Sequence, residues 1–141
     1  MTAPTSTSSD NTAFFGHPTG LSTLFYTEMW ERMSYYGMRA LLVLYMTLSV
    51  QEGGLGVTVA SATAIYGLYT GAVYFMGLPG GWVADRIIGS QNAIWYGGIV
   101  IMCGHLLLAI PNDSTFLIGL VLVVVGTGLL KPNIGALVGQ L

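Results

Sequence analysis

Apolar residues run in long blocks along this chain, and polar ones are confined to a leading tail, three short breaks and one stripe. The blocks at 21–50, 58–84, 93–110 and 115–141 predict four helices, each close to or beyond the ~20 residues that cross a bilayer. The breaks between them are Gly-rich (51–56), mixed polar with Asp85, Arg86 and Gly89 (85–92), and Pro-Asn-Asp-Ser (111–114). At about 1.5 Å per residue the first block exceeds a ~30 Å hydrocarbon core, so its helix is tilted or projects beyond the membrane. Ahead of it, Phe14-Phe15-Gly16-His17-Pro18 reads as an interfacial lead-in, with aromatics at headgroup level and Pro18 before the helix start. Residues 1–13, rich in Ser and Thr and without Lys or Arg, lack the basic region of a cleaved signal peptide and read as a disordered tail. Residues 14–141 read as the bundle.

Two helices carry internal punctuation. In the second, Pro79 predicts a kink, and Gly67/Gly71 and Gly77/Gly81 form small-xxx-small pairs that predict close helix contact. In the fourth, Pro132 removes the amide that would bond the Gly128 carbonyl, freeing that oxygen beside Lys131. The apolar run continues to Leu141 without a polar cap, which reads as a fragment of a longer bundle.

Composition sharpens this picture. The chain is 53% hydrophobic and 7% charged, against about 25% charged in soluble domains, so the predicted class is an all-α, multi-pass membrane protein. Its basic residues are Arg32, Arg39, Arg86 and Lys131, too few and too scattered to neutralise a phosphate backbone, which excludes nucleic acid as a partner. Cys103 is the single cysteine and allows no intrachain disulfide. His17 and His105 are far apart and lack a nearby cysteine, so no metal site is expected. Arg86 is the one basic residue in a loop, which by the positive-inside rule puts that loop and the N-terminus on the cytoplasmic side.

The candidate chemistry lies in the stripe. Glu28, Glu31, Arg32, Tyr35 and Arg39 recur at i, i+3, i+4 and i+7, on one side of the first helix. A charge at the bilayer centre costs roughly 2.5–3.5 kcal/mol on insertion scales, so such residues face a bundle interior and serve a function. Two carboxylates and a guanidinium within one turn make protonation sensitive to geometry. The plain alternatives are an interfacial Glu28 favoured by the helix dipole and a static Glu31–Arg32 pair. Arg39 has the planar fork that captures a carboxylate bidentately, or it snorkels to the far interface. Tyr35, Tyr36, Tyr69 and Tyr74 line a cavity or belong to helix packing and an aromatic belt. Lys131 is a site residue beside a kink or a snorkelling anchor, and Asp85 with Arg86 a gate or a solvated turn. No nucleophile and base are arranged for covalent chemistry, so no enzyme is expected.

Glu28-x-x-Glu31-Arg32, followed by Ser34-Tyr35-Tyr36-Gly37-Met38-Arg39, resembles the first-helix signature of the proton-dependent oligopeptide transporters, a branch of the major facilitator superfamily. The residues 14–18, 80–89 and 126–133 also look like segments of its bacterial members. The resemblance implies two six-helix halves built of inverted repeats, with this chain supplying the first four transmembrane helices of the N-terminal half. It implies symport of di- and tripeptides with protons as the coupling ion and no cofactor, in the cytoplasmic membrane, with the remaining helices and the lipid bilayer as partners. By resemblance Arg39 holds the peptide carboxylate, with Tyr35, Tyr36, Tyr69 and Tyr74 around it. Glu28, Glu31, Arg32 and Lys131 couple the proton, and Asp85 and Arg86 form a gating turn. Met33 stands where the family has Phe, and Gly67 where animal members carry a histidine. The readings of another class are a non-transporting four-helix fragment and a small oligomeric channel or exporter.

Overall fold

The structure, a computed structural model, describes residues 12–140; most of the tail expected at 1–13 lies outside the described residues. Two short strands, β1 (Thr12–Phe14) and β2 (His17–Pro18), pair antiparallel around Phe15 and Gly16, both at positive φ (49° and 82°) as a tight hairpin turn requires. The lead-in is thus a hairpin, and the described chain begins ahead of the expected boundary at residue 14. Four helices follow: α1 (Thr19–Thr47), α2 (Val59–Val83), α3 (Ser90–Leu108) and α4 (Asp113–Val138).

The ends differ from the sequence expectation for local reasons. α1 stops at Thr47 because the Gly-rich connector turns back over it: Leu55, Gly56 and Val57 donate their amides to the carbonyls of Tyr45, Leu48 and Met46 at 3.1, 2.8 and 2.8 Å. Gly53 and Gly56 hold the positive φ (85° and 63°) that this return needs. α2 starts at Thr58, whose hydroxyl caps the Ser61 amide, and leads through a π-helical turn, Ala84–Ile88, to Gly89 at φ 81°. That turn replaces most of the expected loop, so α3 begins earlier than residue 93. Asn112 caps α4 through the Ser114 amide at 2.9 Å and starts it ahead of residue 115. Thr58→Ala is expected to cost about 1 kcal/mol of helix stability, read as increased amide exchange over the first turn of α2 with no change elsewhere.

α4 is the central element, packed closely between α2 and α3. Gly97 and Gly104 of α3, two turns apart, face Gly126 and Gly119 of α4. A Cβ on Gly97 would stand 2.8 Å from the Gly126 carbonyl oxygen, and one on Gly104 2.9 Å from that of Gly119, so only glycine fits. α2 meets α4 where Gly80 lies against the Gly128 carbonyl, the oxygen that Pro132 leaves without its intrahelical amide. The close contacts expected at Gly67/Gly71 and Gly77/Gly81 are not there. Gly67, Gly71 and Gly77 have open space where a Cβ would sit, and Gly81 makes an ordinary contact with Pro132.

An apolar cluster joins Tyr35, Leu42 and Met46 of α1 to Ala62, Tyr69 and Val73 of α2 and Phe116, Leu120 and Val123 of α4. It fixes α1 from Tyr35 onward and leaves the preceding turns outside it. Three segments are long and apolar enough to cross a membrane, Val59–Ile88, Ser90–Leu108 and Asp113–Val138; α1 has the length but carries Glu28, Glu31, Arg32 and Arg39. Outward faces remain strongly apolar at Leu68, Phe75, Leu78, Trp82, Trp95 and Leu106, a surface suited to lipid or to further helices.

Candidate functional site

The stripe on α1 divides once folded. Glu28 and Arg32 pair one turn apart, with Arg32 Nη2 and Nε donating to Glu28 Oε1 at 2.6 and 3.1 Å, and both side chains stay substantially exposed (41% and 58%). Glu31 stands outside this pair. It is 8% exposed, and its Oε1 is buried with no hydrogen-bond partner. Arg32, expected beside both carboxylates, is therefore committed to Glu28.

Lys131 is brought to this side of α1 by the central placement of α4. Its Nζ sits over the rings of Tyr35 (5.4 Å) and Tyr74 (5.6 Å), so α1, α2 and α4 meet at one ammonium. Lys131 and Glu31 are not in ion-pair contact: among the described residues the Glu28–Arg32 pair alone is. Tyr69 stacks on Tyr35 at 6.3 Å between centroids with its hydroxyl buried and unpartnered, while Tyr36 packs edge-on to Tyr35 and is itself exposed. Tyr35, Tyr69, Tyr74 and Lys131 thus form one cluster, with Glu31 one turn before Tyr35 on α1.

Arg39 lies farther along α1, half-buried, with its guanidinium 5.0 Å over the ring of Tyr66. This cation–π contact helps to hold the guanidinium in place. Asp85 and Arg86 are exposed in the π-helical turn, away from both groups.

The structure adds a polar contact that the sequence did not signal. His105 of α3 engages Ser34 of α1, with Oγ and Nε2 3.0 Å apart, and its Nδ1 lies 2.9 Å from the Ile101 carbonyl oxygen. The partners are 71 positions apart, and no local spacing marks either of them. Both line a groove of about 930 Å³ between α1 and α3, together with Trp30, Glu31, Ile101 and Leu130. Tyr66, under Arg39, is likewise marked by no spacing in the sequence.

Residues 91–141 match the model of the POT family, PTR2. Over 129 residues the chain is 54% identical to an uncharacterized transporter, YclF, of Bacillus subtilis, a match covering 91% of this chain and 26% of that protein. It is 51% identical over 131 residues to a di-/tripeptide transporter of Lactococcus lactis, with the same coverage. The fold superposes on a crystal structure of a POT family transporter in complex with a thioalcohol conjugated peptide, with a TM-score of 0.89 and 41% identity over 92% of this chain and 27% of that one. The chain therefore spans about a quarter of the length of these relatives.

Proposed function

Because this chain belongs to the POT family over the length matched, we propose that it takes part in proton-coupled symport of di- and tripeptides across the cytoplasmic membrane, supplying proton-coupling residues and part of the peptide site. The observation that carries this reading is the Glu31–Lys131 arrangement: a buried carboxylate with an unsatisfied oxygen, and an ammonium that rests on Tyr35 and Tyr74 instead of on it. An unpaired charge is costly in such surroundings. A protonated Glu31 tolerates the separation, and an ionised one draws Lys131 off the tyrosine rings. One proton thereby moves Lys131 of α4 between the Tyr35 and Tyr74 rings and the Glu31 carboxylate, a two-state element of the kind that rocking between transporter halves requires. Glu28 and Arg32 neutralise each other at the rim and keep Arg32 from competing for Glu31.

Arg39, steadied by Tyr66, takes the carboxylate end of the peptide, with Tyr35, Tyr36, Tyr69 and Tyr74 toward the same space. Asp85 and Arg86 serve as a gating turn on the cytoplasmic side, which also receives the N-terminus. The coupling ion is the proton, with no further cofactor, and the helices that complete two six-helix halves are the protein partners.

The test is uptake of a labelled dipeptide into liposomes containing the protein, with and without an inward proton gradient. Accumulation that requires the gradient is the expected result; equilibration to the same level without it sinks the symport reading and favours a channel. In the same assay Arg39→Lys, which keeps the charge and loses the bidentate fork, is expected to raise KM about tenfold with a smaller change in maximal rate. An unchanged KM removes Arg39 from the peptide site.

A further inference from the structure

The apolar cluster takes α1 at Tyr35, Leu42 and Met46, and the turns ahead of Tyr35 have no residue in it. On the α3 side those turns border a groove, which the Ser34–His105 hydrogen bond spans at 3.0 Å. The side-chain bonds of Ser22, Thr27, Thr47, Thr63 and Thr70 close instead on carbonyls of their own helices. The far end of the spanning bond is itself braced. A carbonyl oxygen only accepts, so the 2.9 Å contact to Ile101 is a donation from His105 Nδ1 that holds the ring to its own helix. A neutral ring then accepts from the Ser34 hydroxyl at Nε2, and a charged ring donates to it. Because a hydroxyl serves in either sense, the bond survives in both states of the ring, and its role is mechanical.

Ser34 and Tyr35 are neighbours in sequence and so stand about 100° apart around the helix axis. Ser34 is held toward α3 by His105. Tyr35 is held by Tyr69 of α2, which stacks on it at 6.3 Å between centroids, and by Lys131 of α4, whose Nζ lies 5.4 Å over the ring. A helix gripped along one face can roll about its axis; gripped on two faces at the same level, it cannot. We infer that His105 is a positioning residue, which through Ser34 fixes the roll of the α1 turn carrying Glu31 and Tyr35, and so the presentation of the Tyr35 ring to Lys131. Without this bond the turns ahead of Tyr35 are free to roll, the ring turns with them, and the ammonium loses a fixed seat. Arg39 is spared: it lies beyond Tyr35, on the part of α1 that the cluster secures, with its guanidinium over Tyr66.

The inference rests on the coupling role proposed for Glu31 and Lys131, and two measurements separate its failure from that of the symport reading. The first needs no transport: it is amide hydrogen exchange of the protein in nanodiscs. Ser34→Ala and His105→Leu are each expected to speed exchange of the α1 amides ahead of Tyr35 about fivefold, the worth of one hydrogen bond, and to leave α2 and α4 unchanged. His105→Gln, whose carboxamide meets Ser34 in place of Nε2, is expected to exchange as wild type. Unchanged exchange in both Ser34→Ala and His105→Leu overturns the inference, and so does His105→Gln behaving as His105→Leu. The second is dipeptide transport. Ser34→Ala and His105→Leu are each expected to lower gradient-driven accumulation about fivefold, with the KM of gradient-free exchange held within about twofold, and the double variant to do no more than either alone. Wild-type accumulation in both single variants, or a loss in His105→Leu that Ser34→Ala does not share, overturns the inference. A wild-type protein that accumulates no peptide on a gradient refutes symport instead, and amide exchange then decides the His105–Ser34 tether alone.

Discussion

Gly126→Ala is expected to destabilise the bundle by about 1–3 kcal/mol, and Gly126→Leu to prevent α3 and α4 from packing at all. A Cβ at this position would stand 2.7 Å from the Gly97 carbonyl oxygen and 2.8 Å from the Ile101 amide nitrogen, and backbone on both sides cannot yield as the tip of a side chain does. Relief requires the helices to separate, which also opens the Gly104–Gly119 contact two turns away and strips packing from Val123, buried to 1% exposure at the centre of the bundle. The measurement is thermal unfolding in detergent, with Gly135→Ala as control: position 135 lies on the same helix with open space around it, and alanine there is expected to be neutral or slightly stabilising. Equal melting of Gly126→Ala and Gly135→Ala would mean that α3 and α4 do not touch through their backbones.

The second large effect is functional. Glu31→Gln is expected to reduce gradient-driven peptide accumulation at least tenfold while leaving exchange of peptide across a membrane without a gradient within about threefold of wild type, since an isosteric amide keeps the shape of the site and cannot release a proton. Burial makes this the sensitive carboxylate. Glu28→Gln provides the contrast, because Glu28 is partly exposed and already neutralised by Arg32; a smaller loss is expected there. If Glu28→Gln abolished accumulation and Glu31→Gln left it intact, the roles of the two carboxylates would have to be exchanged. Loss of both accumulation and exchange in Glu31→Gln would make it a residue of peptide binding.

Much of the architecture is legible in the order of the residues. Helix number and rough extent follow from apolar blocks broken by Gly, Pro and Asn, because in a bilayer the backbone must satisfy itself and length is set by membrane thickness. The separation of Glu31 from Glu28 is not legible. Both belong to one polar stripe, and what buries Glu31 while exposing Glu28 is the position of α3 and α4, a matter of tertiary packing. The glycines mislead for a related reason. Gly67/Gly71 satisfies the small-xxx-small spacing as well as any pair in the chain, but spacing says only which residues share a face, not which face meets a helix. The true contacts repeat every two turns on α3 and α4, a period the four-residue motif does not capture. Lys131 was legible as a site residue beside Pro132, whereas its rest on Tyr35 and Tyr74 depends on how three helices converge. His105, isolated in sequence from every other ionisable group except by folding, gave no sign of Ser34.

The thinness of the contacts around α1 bears on how the protein is made. Synthesis proceeds from the N-terminus, so of the four helices the one with the largest charge penalty for entering lipid is the earliest to appear. Its apolar partners, Ala62, Tyr69 and Val73 on α2 and Phe116, Leu120 and Val123 on α4, are translated later, as are Lys131 and His105. α2, α3 and α4 can close on one another through glycine contacts in which α1 has no share. Of the four helices the earliest made is therefore the last to be secured, and until α4 arrives its buried carboxylate lacks the bundle that encloses it.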